Sequence, residues 1–358
     1  MDSFRTRVHF SSEALQLQPA DVVCIDSSVI AAKDIHGVDV SPWMNDQSIP
    51  LLANEETKRW DTVAIILQNL LDNGTARDGS IIAIGGGVLC DLAAFAASVY
   101  MRGIDCVLVP TTLLAMVDAA FGGKTGMNFG GYKNMVGTFH PARELIIDTR
   151  FLRSLPHAEL HSGMGEVFKA ALLDADSGLW DILQKQGVDL LHSDRTSDTV
   201  WLSHAAVWRD IVERSLAVKG KIVTEDFRES GSRAYLNLGH TYAHAAESVL
   251  GFGRVPHGTL VVWGIIRALK LGVILGMTEQ TYLKEVAQLA EKMGFPGIID
   301  LPADKTPADL VEAMRSDKKK RGGRVRFVLQ RGQGETELRV VEEAVVLQSL
   351  QGGVRYSN

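Results

Sequence analysis

Apolar and polar positions along this chain follow two periods in turn. Before about residue 148, short β-branched runs at 21–25 (DVVCI), 80–84 (SIIAI), 105–109 (DCVLV) and 144–147 (ELII) stand between turn-forming residues and predict strands. Between them, 57–73 and 91–99 carry apolar residues at helical spacing. Strands alternating with helices predict a parallel sheet joined by right-handed crossovers, a Rossmann-like α/β arrangement. Beyond residue 148 the helical period takes over at 158–174, 194–224, 241–249, 260–275 and 281–292, and β-branched runs return only at 325–329 and 338–341, a predicted hairpin. The expected organisation is an α/β domain over 1–150 and a mainly α-helical domain over 151–358. In such an architecture the ligand site is expected in the cleft between domains, at the carboxyl ends of the strands.

Composition narrows the function classes. With 358 residues, 46% hydrophobic and 22% charged, the chain has ample apolar material for a dry core. A net charge of -6 argues against nucleic acid or an anionic membrane as partner, so an anionic substrate must be captured by local basic groups. Cys24, Cys90 and Cys106 form no CxxC pair and are expected as small buried hydrophobes in a reducing compartment. The first residues, MDSFRTRVHFSSEAL, carry no apolar targeting core, and runs such as 260–266 are too short to span a bilayer; a cytoplasmic location is expected.

Candidate chemistry begins where the predicted strand at 80–84 enters Gly85-Gly86-Gly87, followed by Asp91 and a small-residue helix. Glycines after a strand let backbone N–H groups approach a pyrophosphate, although the motif is not GxGxxG and also suits a plain tight connection. Thr111 and Thr112 at the next strand end can bond a ribose or phosphate, or cap a helix. Asp26 closes the first strand, where a carboxylate can take ribose hydroxyls, while Glu55 and Lys58 fit a solvated helix start equally well.

From Asp118 onward packing explains less. Lys124 in GGKTG and the pair Lys133-Asn134 place two lysines in glycine-rich loop, a common way of gripping phosphate or carboxylate. Glu166 and Lys169 share one face of an otherwise apolar helix, as an ion pair or a metal-bound carboxylate. His240 and His244 stand four apart on one helical face and His257 follows, a set resembling Zn²⁺ ligands without the HExxH of metalloproteases. Lys219, Glu229, Arg233 and Asn237 form a polar series leading into His240, with Lys219 and Arg233 a second cationic pocket. Two cationic pockets, a metal site and a nicotinamide site point to a substrate with two anionic ends and oxidisable hydroxyls.

The segments GGGVLCDLAAFAASVYMRG, VPTTLLAMVDAAFGGKTGMN, GYKNMVGTFHP, LPHAELHSGMGEVFKA, LNLGHTYAHAAE, PHG and SDKKKRGG, in this order over about 55–334, resemble the 3-dehydroquinate synthase family of sugar phosphate cyclases. The resemblance implies that Gly85, Gly86, Gly87, Asp91, Thr111 and Thr112 hold NAD, with Asp26, Glu55, Lys58 and Lys133 completing that site. It implies Glu166, His240 and His257 as ligands of a divalent ion (Zn²⁺ or Co²⁺), and Lys124, Asn134, Lys169 and His244 as contacts to substrate phosphate and ring oxygens. Lys219 and Arg233 match a carboxylate grip; Asp118, Glu229 and Asn237 match hydroxyl contacts; Lys318 matches a lysine near the phosphate; Arg102 matches an arginine supplied across a homodimer.

The implied activity is that of a carbon–oxygen lyase of the shikimate pathway, serving aromatic amino acid biosynthesis. It turns 3-deoxy-arabino-heptulosonate 7-phosphate into 3-dehydroquinate and phosphate by transient oxidation, phosphate elimination, re-reduction and intramolecular aldol closure. His244 is the candidate proton shuttle. Ser28, Cys90, Ala243 and Thr259 depart from residues usual in the family. Two other readings are a cyclase of sedoheptulose 7-phosphate or glucose 6-phosphate, which needs no carboxylate grip, and a glycerol-dehydrogenase-like oxidoreductase, which needs no phosphate-gripping Lys124, Lys133 and Asn134. The whole reading depends on Glu166, His240 and His257 converging.

Overall fold

A computed structural model describes residues 4–319 except 11–20, together with 325–356, with the backbone alone described at 316–319. The chain forms two compact units, Met1–Leu160 with Ser193–Leu216, and His161–His192 with Ala217–Asn358. Where the sequence pattern placed one division near residue 150, each unit therefore takes two stretches of chain.

The first unit is built on β1 (Arg7–Phe10), β2 (Val22–Asp26), β3 (Ile49–Leu51), β4 (Ser80–Gly85), β5 (Asp105–Pro110), a hairpin of β6 (Met127–Phe129) and β7 (Tyr132–Val136), and β8 (Glu144–Ile147). Among the described residues one six-stranded sheet runs in the order β1-β8-β5-β4-β2-β3, every neighbouring pair parallel. Strands β2 and β4 are buried along their whole length, as the unbroken β-branched runs predict for a sheet covered on both faces. The crossovers carry the short α1 (Ser27–Ala31) and α2 (Lys33–His36), then α3 (Trp60–Asp72) and α4 (Gly87–Val99). Helix α4 packs on both β4 and α3, and its run of buried alanines lets it lie close to each. It starts four residues earlier than the apolar spacing predicts, because Gly86 in extended backbone caps it directly behind the strand.

The remaining helices are α5 (His157–Leu173), α6 (Leu179–His192), α7 (Asp198–Glu225), α8 (His240–Leu250), α9 (His257–Ile274), α10 (Gln280–Lys292), α11 (Pro307–Lys319) and α12 (Glu343–Leu350), of which α5 and α7 each have residues in both units and the others lie in the second. They are joined by the parallel pair β9 (Ile299–Leu301) and β12 (Val354–Tyr356) and by the antiparallel hairpin β10 (Arg326–Gln330) and β11 (Thr336–Val340), close to the predicted positions. Helix α9 is the centre of this unit, packed against α8, α10, α12 and β10. It is long and apolar enough to cross a membrane, yet 78% of that window is buried within the fold. Its apolar content is that of a core helix, each fully buried aliphatic or aromatic side chain contributing about 1.5–3 kcal/mol.

Candidate active site

In the first unit the candidate residues gather at the carboxyl ends of adjacent strands. Asp26 ends β2, Gly85 ends β4 and Thr111 follows β5, its N–H donating to the Gly85 carbonyl at 2.9 Å. The Asp26 carboxylate, 7% exposed, accepts from the Ser28 N–H at 2.9 Å and its hydroxyl at 2.7 Å, so Asp26 caps α1 and Ser28 fixes its side chain. A side chain at Gly86 would press on Thr112 and one at Gly87 on Ala119, so packing alone already favours glycine there. The first turn of α4 leaves N–H groups without helical partners at this strand end, an arrangement suited to a pyrophosphate. Thr112 also acts as a cap, its Oγ accepting from Ala115 N–H at 3.2 Å.

A second layer locks around Lys58. This ammonium is 4% exposed and donates to Asp91 Oδ2 and Asn134 Oδ1, each at 2.6 Å. Lys58 is thus no solvated helix start: it ties the loop before α3 to α4 and to the β6–β7 hairpin. The expected glycine-rich loop around Lys133 and Asn134 is in fact that hairpin, turned by Gly130 and Gly131, both at positive φ as a tight two-residue turn requires. Asn128, which the sequence reading missed, docks it: its side chain donates to Glu55 Oε2 at 2.9 Å and accepts from the Asn134 N–H at 3.0 Å. Lys133 lies 4.0 Å from Glu55. Lys124 is exposed beside the bridge to Phe139, and Asp118 sits in a π-turn, Ala115–Ala119, a form frequent at functional sites. Arg102 stands apart, exposed beyond the far end of α4, about 20 Å along that 13-residue helix from the glycine turn. Both Met101 and Arg102 hold left-handed backbone (φ 48 and 71) there.

The second unit brings Glu166, His240 and His257 together. Helix α5 carries Glu166, His240 begins α8 and His257 begins α9, three residues earlier than the predicted helix start. Each ligand adjoins a glycine in backbone contact with another segment. A Cβ on Gly165 or Gly258 would come closer than 3.0 Å to Gly258 or Ser162 backbone, and one on Gly239 or Gly264 equally close to Val261 or Gly239 backbone. Glycine thus sets how closely α5 and the start of α8 approach α9. Glu166 Oε1 lies 3.5 Å from His257 Nε2 and 3.7 Å from His240 Nε2. Ligands held about 2.1 Å from one tetrahedral ion stand about 3.4 Å apart, so the spacing matches a shared cation better than direct hydrogen bonds. Both Glu166 oxygens are sealed from solvent; one rests against the Lys169 ammonium, and the other faces the two histidine nitrogens, where a cation would satisfy it.

The electrostatics agree. Burial opposes ionisation of Glu166, but Lys169, in contact with its other oxygen, and the two histidines together hold the carboxyl well below the usual range. Burial, reinforced by Lys169, pushes His240 down to about 3, so its Nε2 carries a lone pair. Burial also disfavours charge on His257, yet Glu166 and Glu247 outweigh it and raise the group to about 9. The pocket draws positive charge. His244 is exposed at its edge, its ring 5.4 Å from His240 and 6.0 Å from His257.

Arg233, 2% exposed, is held in the 226–237 loop: its N–H donates to Asp226 Oδ2 at 3.1 Å, and its guanidinium donates to the Phe227 carbonyl. Glu229, at φ 57, accepts from the Asn237 side chain at 2.7 Å. Asp226, also missed, gathers the Ser230 N–H at 2.9 Å, its hydroxyl at 3.0 Å and the Gly231 N–H at 2.7 Å. An Asp followed by Ser and Gly four and five positions on was the available signal. Lys219 is half-buried on α7, and the Lys318 side chain lies outside the described residues.

Residues 48–162 match the family described as 3-dehydroquinate synthase N-terminal, and 163–320 the one described as 3-dehydroquinate synthase C-terminal. The chain is 40% identical over 309 residues to the 3-dehydroquinate synthase of Xanthomonas axonopodis pv. citri (strain 306), covering 84% of this chain and 80% of that protein. It is 37% identical over 298 residues to that of Thermoanaerobacter pseudethanolicus (strain ATCC 33223 / 39E), covering 83% and 80%. Among solved structures it is similar to a 2-epi-5-epi-valiolone synthase from Streptomyces hygroscopicus subsp. jinggangensis 5008 with NAD⁺ and Zn²⁺ bound, at TM-score 0.83 and 25% identity, covering 98% and 97% of the two chains.

Proposed function

The chain belongs to the 3-dehydroquinate synthase family, and from that premise we propose that it converts 3-deoxy-arabino-heptulosonate 7-phosphate into 3-dehydroquinate and phosphate. The observation that carries this is the buried Glu166 carboxylate with the Nε2 atoms of His257 and His240 at 3.5 and 3.7 Å. When bound, a divalent ion polarises a substrate oxygen as a Lewis acid and NAD takes up and returns a hydride.

The chain's own groups hold and orient. Gly85, Gly86, Gly87 and the first turn of α4 take the pyrophosphate, Asp26 the ribose hydroxyls, and Thr111, Thr112, Asp91, Lys58, Glu55 and Lys133 complete the cofactor site. Glu166, His240 and His257 are the ion's ligands. Lys124, Asn134, Lys169 and His244 engage phosphate and ring oxygens, with Lys318 near the phosphate; for Asn134, whose oxygen already accepts from Lys58, the amide nitrogen is the donor for an anion. Arg233 and Lys219 grip the carboxylate, and Asp118, Glu229 and Asn237 the hydroxyls. His244, exposed beside the ligand histidines, moves protons at its imidazole. Arg102 lies too far along α4 to serve its own glycine turn, which supports its contribution to a second copy in a homodimer. The expected compartment is the cytoplasm.

The carboxylate substrate is favoured because Lys219 and Arg233 are both present, a cationic pair that a substrate without a carboxylate does not need. The test is phosphate release from 3-deoxy-arabino-heptulosonate 7-phosphate with catalytic NAD, with and without chelator, and with sedoheptulose 7-phosphate in parallel. Release from the first substrate only, lost with chelator and restored by Zn²⁺, is expected. Release from the second alone overturns the substrate, and NADH accumulating in step with product overturns the cyclase reading.

A further inference from the structure

Helix α8 carries a second buried carboxylate that neither the metal set nor the substrate contacts use. Glu247 is 5% exposed and lies seven residues, two helical turns, beyond His240, so both face the same side of α8. Its Oε1 stands 3.2 Å from His257 Nδ1. A carboxylate only accepts, so Nδ1 carries the proton and donates. On a neutral imidazole this leaves the lone pair on Nε2, the nitrogen 3.5 Å from Glu166. His240 is held in the same tautomer, its Nδ1 3.2 Å from the Leu238 carbonyl, which also only accepts.

The two histidines are thus oriented by different chemistries, one by a neutral carbonyl and one by a buried charge. A carboxylate behind an imidazole raises the basicity of the opposite nitrogen and adds negative charge to balance a divalent cation. We propose that Glu247 is the positioning residue for His257, fixing its tautomer and ring plane and strengthening its Nε2 as a ligand. This rests on the reading of Glu166, His240 and His257 as ligands. Glu247 also lies near enough to His244 and His257 to form a rival ligand triplet. That would take His257 through Nδ1, turn Nε2 to no purpose and place an exposed His244 in the coordination shell, so the orienting role accounts for more of the geometry.

The test uses the metal-free full-length chain titrated with Co²⁺, read by visible absorption and by bound metal per chain, on wild type, Glu247→Ala, Glu247→Gln and His257→Ala. Folding is checked by circular dichroism without metal. Wild type is expected to bind one equivalent with a tetrahedral-type spectrum. Glu247→Ala should weaken binding by about 10–100-fold and alter the band shape. Glu247→Gln, whose amide oxygen still accepts from Nδ1–H but bears no charge, should recover the spectrum while binding remains weaker than in wild type. If Glu247→Ala fails to fold, Glu247→Gln carries the test on affinity. Wild-type affinity and spectrum in the folded variants overturn the role of Glu247 and leave the ligand set standing. A second equivalent in wild type that Glu247→Ala abolishes makes Glu247 a ligand and overturns it too. No Co²⁺ bound by wild type, or none lost in His257→Ala, removes the ligand set itself and this inference with it.

Discussion

The two units build their chemistry by opposite means. In the parallel-sheet unit, functional groups stand where strands end: Asp26, Gly85 and Thr111 are neighbours because β2, β4 and β5 are, and short contiguous motifs deliver them. In the helical unit, the groups come from the sides and starts of α5, α8 and α9, and only helix packing makes them neighbours. Glycine shows the difference. Around Gly86 and Gly87 it keeps a strand–helix turn tight against Thr112 and Ala119, whereas Gly165, Gly239, Gly258 and Gly264 let backbones touch so that adjacent ligands meet. A motif at a strand end is a local device. A ligand set between helices depends on the whole unit's packing.

If that contrast holds, damage to one set should leave the other's ligand untouched. The largest effect is expected for Glu166→Gln, lowering phosphate release by at least about 10³-fold, since metal polarisation supplies several kcal/mol. Its NAD affinity, by fluorescence titration, should stay within about twofold of wild type, and a large loss would blur the distinction. Arg233→Ala follows, lowering kcat/KM on the carboxylate substrate by about 10²–10³-fold, in line with about 2–4 kcal/mol for a buried charged contact, again with NAD affinity intact.

Gly258→Ala tests the packing argument directly. Its Cβ would collide with the Ser162 backbone, so a loss of about 3 kcal/mol in chemical denaturation and weakened metal retention are expected. Gly297→Ala, which meets nothing within 4 Å, should be nearly silent; equal effects would refute the packing role. In the sheet unit Lys58→Met takes the buried ammonium from the Asp91 carboxylate and should cost about 2–3 kcal/mol, discounted for the partial exposure of Asp91, while metal content stays at wild-type level.

The smallest effect concerns pH. Burial opposes ionisation of Asp226, but the Ser230, Gly231 and Arg233 N–H groups outweigh it and lower the carboxyl from 3.8 to about 2. A depressed folded-state value means stability present above the unfolded value and lost as pH falls through the folded one. The melting-temperature gap between wild type and Asp226→Asn should therefore close between about pH 4 and pH 2. A gap unchanged over that range would show that the loop does not depend on the charge.

Much of this was readable in the chain. The buried strands β2, β4, β5 and β8 and the helices α5, α7, α8, α9 and α10 follow from apolar period, because a buried face imposes its own spacing. The three- and four-residue strands β1, β3, β9 and β12 carry too few positions to show a period, and helix α11, though amphipathic, is too polar overall to stand out. The β6–β7 hairpin hid behind its glycines, which read as loop although Gly-Gly is also a hairpin turn. Asn128 and Glu247 escaped because a residue that orients another has an ordinary sequence context; its partner identifies it.

Residue order alone decided that this chain alternates strand and helix, then turns helical, and that unusual histidines and lysines stand where packing does not call for them. It also carried the motif series that marks the family. Only the folded molecule decided that Glu166 faces two Nε2 atoms, that Lys58 is buried between Asp91 and Asn134, and that Glu247 stands behind His257. Periodicity belongs to a segment and survives in isolation. Convergence of distant residues depends on how closely helices cross, which a few small side chains set without any local mark to distinguish them.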